Sequence, residues 1–155
     1  MGTFSFKSSG KTKEQRAIEA LTTSATPIGI KTPMRLSDTD GLLTMNFSLA
    51  DQVNDNLRNL ILTNWGERLG HYDFGANLRP LTTEFVSQGD FDNKAIERIR
   101  QTVGRWMPYI DLEDFSSNVN RVENKNTAIL DITITYNIPT LNVKLKKLQV
   151  TLYVI

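Results

Sequence analysis

The middle of the chain contains two stretches with the hydrophobic spacing of an amphipathic helix. In the first, apolar residues recur at intervals of three and four, which places them on one helix face: Leu49, Val53, Leu57, Leu60 and Ile61. Ser48 precedes this stripe and Asp51 follows three residues later, a pattern close to a capping box with Asp in place of Glu. At the far end, Gly66 follows Asn64 and Trp65 and favours the left-handed conformation that ends many helices.

The second stretch predicts a helix from about Asp92 to Met107. Its apolar residues share one face, namely Ile96, Ile99, Val103 and Trp106. Asp90 or Asp92 is the expected N-cap, and Pro108 stops the helix because it has no amide hydrogen and clashes with the preceding turn. Between the two helices, residues 66–83 are expected to form a loop or a hairpin, because glycine and proline interrupt them.

The last third of the chain alternates between apolar and polar residues, as strands with one buried face do. A strand is expected from Leu112 to Val122, followed by a turn at residues 123–126. The next strand has the most regular alternation and places these residues on one face: Leu130, Ile132, Ile134, Tyr136 and Ile138. In the final strand the apolar residues change phase between Leu145 and Leu148, which predicts a β-bulge at Lys146–Lys147.

Together these elements predict an α+β fold, in which two amphipathic helices pack on one face of an antiparallel sheet and the other face is polar. This domain is expected to span residues 48–155. Residues 1–47 differ, since they are rich in Ser, Thr, Gly and Lys and their apolar residues are scattered. We expect them to form an extended N-terminal arm that drapes over the domain or reaches a neighbouring subunit. Within this arm, the alternation from Ile28 to Met34 predicts a short edge strand or an extended segment.

The composition excludes several kinds of site. The 155 residues suit one domain, and the 18 Lys and Arg side chains nearly balance the 17 Asp and Glu side chains. Bulk charge therefore does not favour a nucleic acid or an anionic membrane as partner. The absence of Cys and the presence of one His, His71, exclude disulfides, thiolate nucleophiles and multi-His zinc sites within one chain. We find no secretory signal and no apolar run near the ~20 residues that cross a bilayer, so we expect a cytoplasmic protein without metal or cofactor.

The acidic residues are the first candidates for catalysis, because a glycosidase needs two carboxyl groups at a suitable separation. Glu67 and Asp73 lie in the glycine-rich loop and would be such a pair. The sequence does not give their distance, and scattered surface acids are the simpler interpretation. Asp111, Glu113 and Asp114 are likewise interpreted as a solvated turn. Because no nucleotide-binding or serine-hydrolase motif occurs, we assign no catalytic residue.

One part of the chain has a more specific pattern. Residues 57–68 read LRNLILTNWGER, and residues 72–78 read YDFGANL. This pattern resembles the signature of the small baseplate wedge proteins of contractile phage tails, a family historically labelled tail lysozyme and similar to the baseplate subunit of type VI secretion systems. Further along, an amphipathic helix, a proline, an Ile-Asp step and a terminal pair of strands follow in the order of that family. The resemblance covers residues 48–155.

The resemblance implies wedge contacts from two parts of the chain. In the family, a Glu-Pro-Arg tripeptide after the second helix is implicated in docking to the wedge core. Here Met107, Pro108 and Tyr109 take its place, so the charged contacts do not carry over and an apolar or aromatic contact would replace them. Glu67 and Arg68 in the loop would pair with each other or with a wedge partner. The alternative is a rigid turn that only supports the fold.

The resemblance also implies a structural role without turnover. Such proteins sit in six copies around the tail hub, bound to larger wedge subunits, and their C-terminal strands resemble part of the sheath protein. The last strand, Val143 to Ile155, would then pair with a sheath strand, because an edge strand offers unpaired amide and carbonyl groups. The residues expected at this contact are Lys144, Lys146, Lys147, Gln149, Thr151 and Tyr153. A simpler interpretation of the lysines is that they block aggregation at an edge strand.

We therefore expect a virion protein of the tail baseplate that assembles in the host cytoplasm. Its expected partners are other wedge subunits and the tail sheath protein, with hub or tube-adjacent proteins as a further option. The alternative is an enzyme, a peptidoglycan hydrolase of the lysozyme type, in which Glu67 and Asp73 would be the carboxyl pair. A regulatory binding module is a third option, since a fold alone does not determine function.

Overall fold

The computed structural model describes residues 13–14, 26–38, 41–84, 88–121 and 128–154. Its helices are α1 (Leu49–Leu62), α2 (Arg79–Glu84) and α3 (Gln88–Trp106). Its strands are β1 (Gly29–Ile30), β2 (Met45–Asn46), β3 (Asp111–Arg121), β4 (Ala128–Ile138) and β5 (Val143–Val154), with a 3-10 turn at Pro139–Leu141. Strands β3, β4 and β5 form an antiparallel sheet in that order, and β1 and β2 form a separate antiparallel pair. This arrangement confirms the predicted α+β class.

Across the described ranges, no helix has both the length and the apolar character needed to span a membrane.

The core lies between the helices and one face of the three-stranded sheet. All the predicted inward residues of β4 are at most 3% exposed, namely Leu130, Ile132, Ile134, Tyr136 and Ile138. The helices contribute Leu57, Leu60, Ile99 and Val103 to the same buried cluster. Burial of one such side chain contributes about 1.5–3 kcal/mol, so this layer supplies most of the hydrophobic stabilisation. On the opposite face of the sheet most of the alternate residues of β4 are polar, as expected, from Asp131 to Asn137.

Helix α1 starts where the sequence predicts, but its cap differs from the prediction. Ser48 occupies the N-cap position with extended backbone angles, yet its side chain makes no capping hydrogen bond. The predicted capping box is therefore wrong, and Asp51 instead binds the ammonium of Lys146 at 2.9 Å. Leu49, predicted to be in the apolar stripe, is 48% exposed. The helix ends at Leu62, slightly before the predicted Asn64–Gly66.

Helix α3 starts earlier than predicted and is preceded by an additional short helix. It begins at Gln88, so Asp90 and Asp92 lie within the helix and the predicted N-cap at either residue is wrong. Phe91 and Ala95, one turn apart, are buried and extend the apolar face toward the N-terminus. The region predicted as a loop or hairpin is a loop followed by α2.

The predicted β-bulge is present, but one step earlier in the strand. Tyr136 lies opposite Lys146 and Ile138 lies opposite Val143, so β5 contains one extra residue between these two pairs. The extra residue belongs to the segment 144–145, whereas the sequence predicted Lys146–Lys147. The physical reason for the bulge is that Val143 and Leu148 both pack on the core, although they are an odd number of residues apart. The predicted turn at 123–126 lies outside the described residues.

The described part of the predicted arm packs against the domain. The predicted strand from Ile28 to Met34 is reduced to β1, which pairs with β2 and not with the main sheet. The Asp55 carboxylate of α1 accepts hydrogen bonds from the Thr32 amide at 2.9 Å and from Asn46 Nδ2 at 2.8 Å. These bonds connect to α1 both the segment that follows β1 and the strand β2. The division of the chain at residue 47 stays a prediction.

Candidate functional site

A groove on the surface brings together residues that are far apart in the sequence. The C-terminal half of α1, the loop after it and the end of α3 enclose a volume of about 640 Å³. Its lining residues are Asn56, Asn59, Leu60, Thr63, Glu67, Arg68, Phe74, Trp106, Met107 and Tyr109. Four of the five predicted wedge-contact residues are in this set, and Pro108 lies between the last two of them. We call this surface the wedge groove.

The loop that forms one wall of the wedge groove depends on Gly75. Its φ of +109° is in the region that favours glycine, and a Cβ atom there would lie 2.1 Å from the carbonyl oxygen of Thr63. This close approach lets the amides of Ala76 and Asn77 donate to the carbonyl oxygens of Leu60 and Thr63, at 3.1 and 3.3 Å. The loop thereby supplies hydrogen-bond donors to carbonyl groups at the end of α1 that have no partner within the helix.

Aromatic side chains attach the same loop to α3. Phe74 is half-buried and packs edge-on against Trp106, with ring centroids 5.2 Å apart, so it anchors the loop to α3. Trp65 Nε1 donates to the Gly75 carbonyl oxygen at 3.0 Å, and Thr102 of α3 donates to the same oxygen at 3.3 Å. The loop is therefore a fixed wall for the groove, held from both ends.

Glu67 and Arg68 each have a different partner within the chain. The Glu67 carboxylate accepts hydrogen bonds from the Asn64 amide at 2.8 Å and from Asn64 Nδ2 at 2.9 Å. These bonds, the side-chain one first, lower the pKa of Glu67, so its carboxylate is ionised at neutral pH. The Arg68 guanidinium lies 4.3 Å from the centroid of the Phe74 ring. Glu67 thus shapes the turn, and Arg68 presents a cation along the wedge groove.

Met107 and Tyr109 form the opposite side of the wedge groove. Met107 is buried and closes the last turn of α3, where its amide donates to the Val103 carbonyl oxygen at 2.8 Å. Tyr109 is 40% exposed, and burial of the rest of its ring raises the pKa of its phenol. Tyr109 is therefore a neutral hydrogen-bonding group at physiological pH. This side of the groove is apolar and aromatic, as expected for a site without the family's Glu and Arg.

The six predicted sheath-contact residues do not share one side of β5. Lys147, Gln149, Thr151 and Tyr153 alternate along the outer face of the strand, and all are exposed. Lys144 is exposed beside the bulge. Lys146 points to the helix-covered face, where its ammonium contacts Asp51 and donates to the Ala50 carbonyl oxygen at 3.1 Å. The three lysines therefore do not form one basic row, and Lys146 links β5 to α1.

The acidic candidates for catalysis are engaged in structural contacts. Asp73 pairs with Arg105 at 2.5 Å, and Glu67 is held by Asn64 as described. Asp111, Glu113 and Asp114 form the start of β3, where the sequence predicted a solvated turn. His71 lies edge-on to Trp106, with ring centroids 5.5 Å apart. In the described part of the chain, no group of three His, Cys, Asp or Glu side chains is placed to hold a metal ion.

Several groove residues were not found as site residues from the sequence, and the two from the polar side of α1 are the clearest case. Asn56 and Asn59 line the wedge groove from α1, one helical turn apart, and both are exposed. They lie on the polar side of the helix and look like ordinary solvent-facing residues in a single sequence. They are recognised as one wall of the wedge groove only when the structure shows the loop that lies opposite them.

A comparison with known protein families decides the classification. The model of the family described as baseplate wedge protein gp25 matches residues 48–143. The chain belongs to the gp25 baseplate wedge family. This match confirms the resemblance inferred from the sequence and assigns the protein a structural role in a phage-type tail baseplate. The matched residues include the whole wedge groove and end at the first residue of β5.

Solved structures show the same fold. One match is a chain in the cryo-EM structure of the anti-feeding prophage baseplate, with a TM-score of 0.57 and 21% identity, covering 78% of this chain and 90% of that chain. Another is a Geobacter sulfurreducens protein described as a tail lysozyme in its crystal structure, with a TM-score of 0.51 and 18% identity, covering 71% of this chain and 94% of that one. No curated protein matches the chain. At 21% and 18% identity, these two solved chains share their fold with this protein.

Proposed function

We propose that this gp25-family protein enters its baseplate through two surfaces. The wedge groove binds a segment of another wedge subunit, and the free edge of β5 pairs with a strand of the tail sheath protein, so that sheath assembly starts there. The observation that carries the proposal is the position of β5: within the residues that the structure describes, it pairs with β4 alone and forms an edge of the sheet.

The free edge has the properties that strand addition requires. From Lys146 to Val154, β5 pairs with β4 without a shift in register. In an antiparallel strand, alternate residues direct their amide and carbonyl groups away from the existing neighbour, so this segment offers backbone groups to an added strand. The exposed side chains of Lys147, Gln149 and Thr151 then contact alternate residues of the partner and select it.

The wedge groove favours a different partner chemistry. Asn56 and Asn59 present side-chain amides that can both donate to and accept from a peptide backbone. Arg68 favours a carboxylate, and Trp106 and Tyr109 offer aromatic surface to an apolar side chain. These features support binding of a segment of a neighbouring wedge subunit that places one carboxylate at Arg68 and an apolar side chain on the aromatic wall. In the complete particle we expect six copies around the hub, with hub or tube-adjacent proteins nearby and assembly in the host cytoplasm.

Two truncations of the full chain test the sheath part of the proposal. One ends after Leu148 and removes the outer part of the β5 edge; the other ends after Leu152 and keeps the buried Val150. Purified baseplates carrying each chain are mixed with sheath protein, and sheath polymerisation is followed by electron microscopy. We expect sheath assembly to fall with the first truncation and to be partly retained with the second, while both chains still enter the baseplate. Normal sheath assembly on the shorter chain would contradict the proposal.

A peptidoglycan hydrolase is the competing function, and the state of Glu67 disfavours it. A glycosidase needs one carboxyl group whose pKa is raised, so that it can donate a proton near neutral pH. The pKa of Glu67 is lowered, and Asp73 is paired with Arg105. A zymogram on cell-wall material tests this directly: we expect no clearing from the purified chain, and clearing that disappears in Glu67→Gln would support the enzyme.

A further inference from the structure

The three-stranded sheet is irregular on both sides of one residue, Asn137. In β3, Leu112 lies opposite Tyr136 and Asp114 lies opposite Thr135, so Glu113 is an extra residue. In β5, the extra residue falls in the segment 144–145, opposite Asn137. Both edge strands therefore bulge within two residues of each other along β4, on either side of Tyr136.

The side chain of Asn137 contacts both bulges. Its Oδ1 accepts a hydrogen bond from the Leu145 amide at 2.7 Å, and its Nδ2 donates to Glu113 Oε1 at 2.6 Å. This orientation of the amide is the one that the chemistry allows, since the reverse would set a carbonyl oxygen against a carboxylate and an NH2 group against an amide hydrogen. Leu145 has a φ of +52° and is 67% exposed, so neither burial nor residue type explains its left-handed conformation. The hydrogen bond that the Leu145 amide donates to Asn137 Oδ1 explains this conformation instead.

We infer that Asn137 fixes where the β5 edge ends, and thereby the register of the strand that is added to it. The inference rests on the proposed sheath contact. At Leu145, held by Asn137, the chain leaves the extended conformation with a φ of +52°, so a backbone ladder with an added strand stops there. The continuous edge runs from Lys146 to Val154, about 30 Å at roughly 3.3 Å per residue.

An end stop is needed because the side chains of the edge do not distinguish all registers. A slip of one residue turns every side chain of the added strand to the wrong face and is strongly disfavoured. A slip of two residues keeps every side chain on its face, so it is opposed only by the mismatch of exposed polar side chains such as Lys147, Gln149 and Thr151. A fixed end excludes such slips, since a strand moved past the bulge loses its backbone partners.

Cysteine cross-linking on the assembled complex tests the inference, because the chain has no Cys of its own. Gln149→Cys is placed in the full chain, and a series of single cysteines is placed along the pairing strand of the sheath protein. The disulfides formed in baseplate–sheath complexes report the register. We expect one dominant position with the native Asn137, and at least two positions of comparable yield, two residues apart, with Asn137→Ala. Cooperative unfolding and entry into the baseplate should persist in this variant.

Matched variants separate register from general stability. Thr135→Ala, on the same outer face of β4, should keep the single position. Leu145→Gly, which tolerates the same φ and keeps the amide, should also keep it. A single unchanged position with Asn137→Ala would overturn the inference.

A second measurement needs no change at Asn137. In the otherwise native chain, cross-links to the sheath strand should form from Lys147→Cys and be at least tenfold weaker from Lys144→Cys, beyond the end of the edge. Equal yields from both positions would overturn the inference, because the added strand would then continue past the bulge. Absence of cross-links from every β5 position is a different result, since it removes the sheath contact itself.

Discussion

The two proposed contact surfaces, the wedge groove and the β5 edge, differ in what they present to a partner. The groove is assembled from three separated segments of the chain, and its chemistry resides in side chains such as Arg68 and Tyr109. The β5 edge is one continuous segment, and it would bind a partner mainly through its backbone amide and carbonyl groups. The family match contains the whole groove but only the first residue of β5. We conclude that the groove should be sensitive to single side-chain changes, whereas the edge should be sensitive to changes in backbone geometry.

The largest expected effect is at Gly75, which holds the groove together. Gly75→Ala places a Cβ atom against the Thr63 carbonyl oxygen and strains a φ of +109°, so we expect a loss of about 2–4 kcal/mol in the free energy of unfolding. Urea denaturation measures it. Gly70→Ala is the matched control, because its φ is also positive but no atom lies within 4 Å of the new Cβ. It should lose about 1–2 kcal/mol. Equal losses in the two variants would mean that the close contact at Gly75 is unimportant.

The second prediction concerns Tyr136, which connects the two regions. Its hydroxyl donates to Asn54 of α1 at 2.8 Å, and burial, followed by the charges of Asp51 and Asp55, raises the pKa of Tyr136 to about 12. The folded protein thus disfavours the ionised phenol. Its contribution to stability is complete below pH 10 and is lost as the pH rises from 10 to 12, by about 2–3 kcal/mol.

Denaturant unfolding at a series of alkaline pH values measures this loss. Tyr136→Phe should remove most of the pH dependence in that range, after a smaller cost of about 1 kcal/mol at neutral pH for the lost hydrogen bond. Tyr109→Phe is the control, since its ring is partly exposed. If the alkaline loss persists unchanged without Tyr136, another group causes it.

The third prediction separates binding from folding in the groove. Arg68→Ala removes a cation stacked on Phe74, at a cost to stability of about 0.5–1 kcal/mol for a partly exposed contact. We expect binding to the wedge partner to weaken at least about tenfold, which corresponds to about 1.4 kcal/mol. Calorimetric titration and a melting curve measure the two quantities. Arg105→Ala is the control: Arg105 stacks on Trp106, at 5.1 Å from the ring centroid, and pairs with Asp73, but it does not line the groove, so its loss should lower stability without weakening binding. If binding and stability fall together in both variants, the loop only supports the fold.

The smallest effect is expected at the bulge. Leu145→Gly relieves the strain of a leucine at positive φ and should stabilise the protein by about 0.5–1 kcal/mol. Leu145→Ala, which shortens the exposed side chain but keeps the strain, should change stability by less than about 0.5 kcal/mol. The shift in the denaturation midpoint measures both. A destabilised glycine variant would show that the leucine side chain, and not the backbone, holds this conformation.

The sequence predicts best those helices and strands that bury a single face, because burial of that face sets the spacing of their apolar residues. The alternation in β4 identifies the strand and its buried residues, because every second residue enters one core. The bulge in β5 follows from the odd spacing of Val143 and Leu148, but its position depends on the Asn137 side chain in another strand, which no local pattern contains. The start of α3 was missed because aspartates near it look like caps, while Phe91 and Ala95 show their role only when packed.

The wedge groove was predictable only in part. The resemblance pointed to Glu67, Arg68 and the segment 107–109, although these are far apart in the chain. Their convergence results from the packing of the loop on α3 through Phe74 and Trp106, which sequence periodicity does not describe. The division of the six β5 residues between two faces followed from the bulge position, so an error of one residue there changed the expected role of Lys146.

The pairing of Lys146 with Asp51 has a mechanical consequence. Together with the bond from Tyr136 to Asn54, it ties the last two strands to the first turns of α1, the same helix whose other end forms the groove wall. A pull along the terminal strand would therefore be carried by shear of the whole β4–β5 ladder and passed into that helix. Tension applied at one surface of the protein reaches the other without crossing a flexible joint.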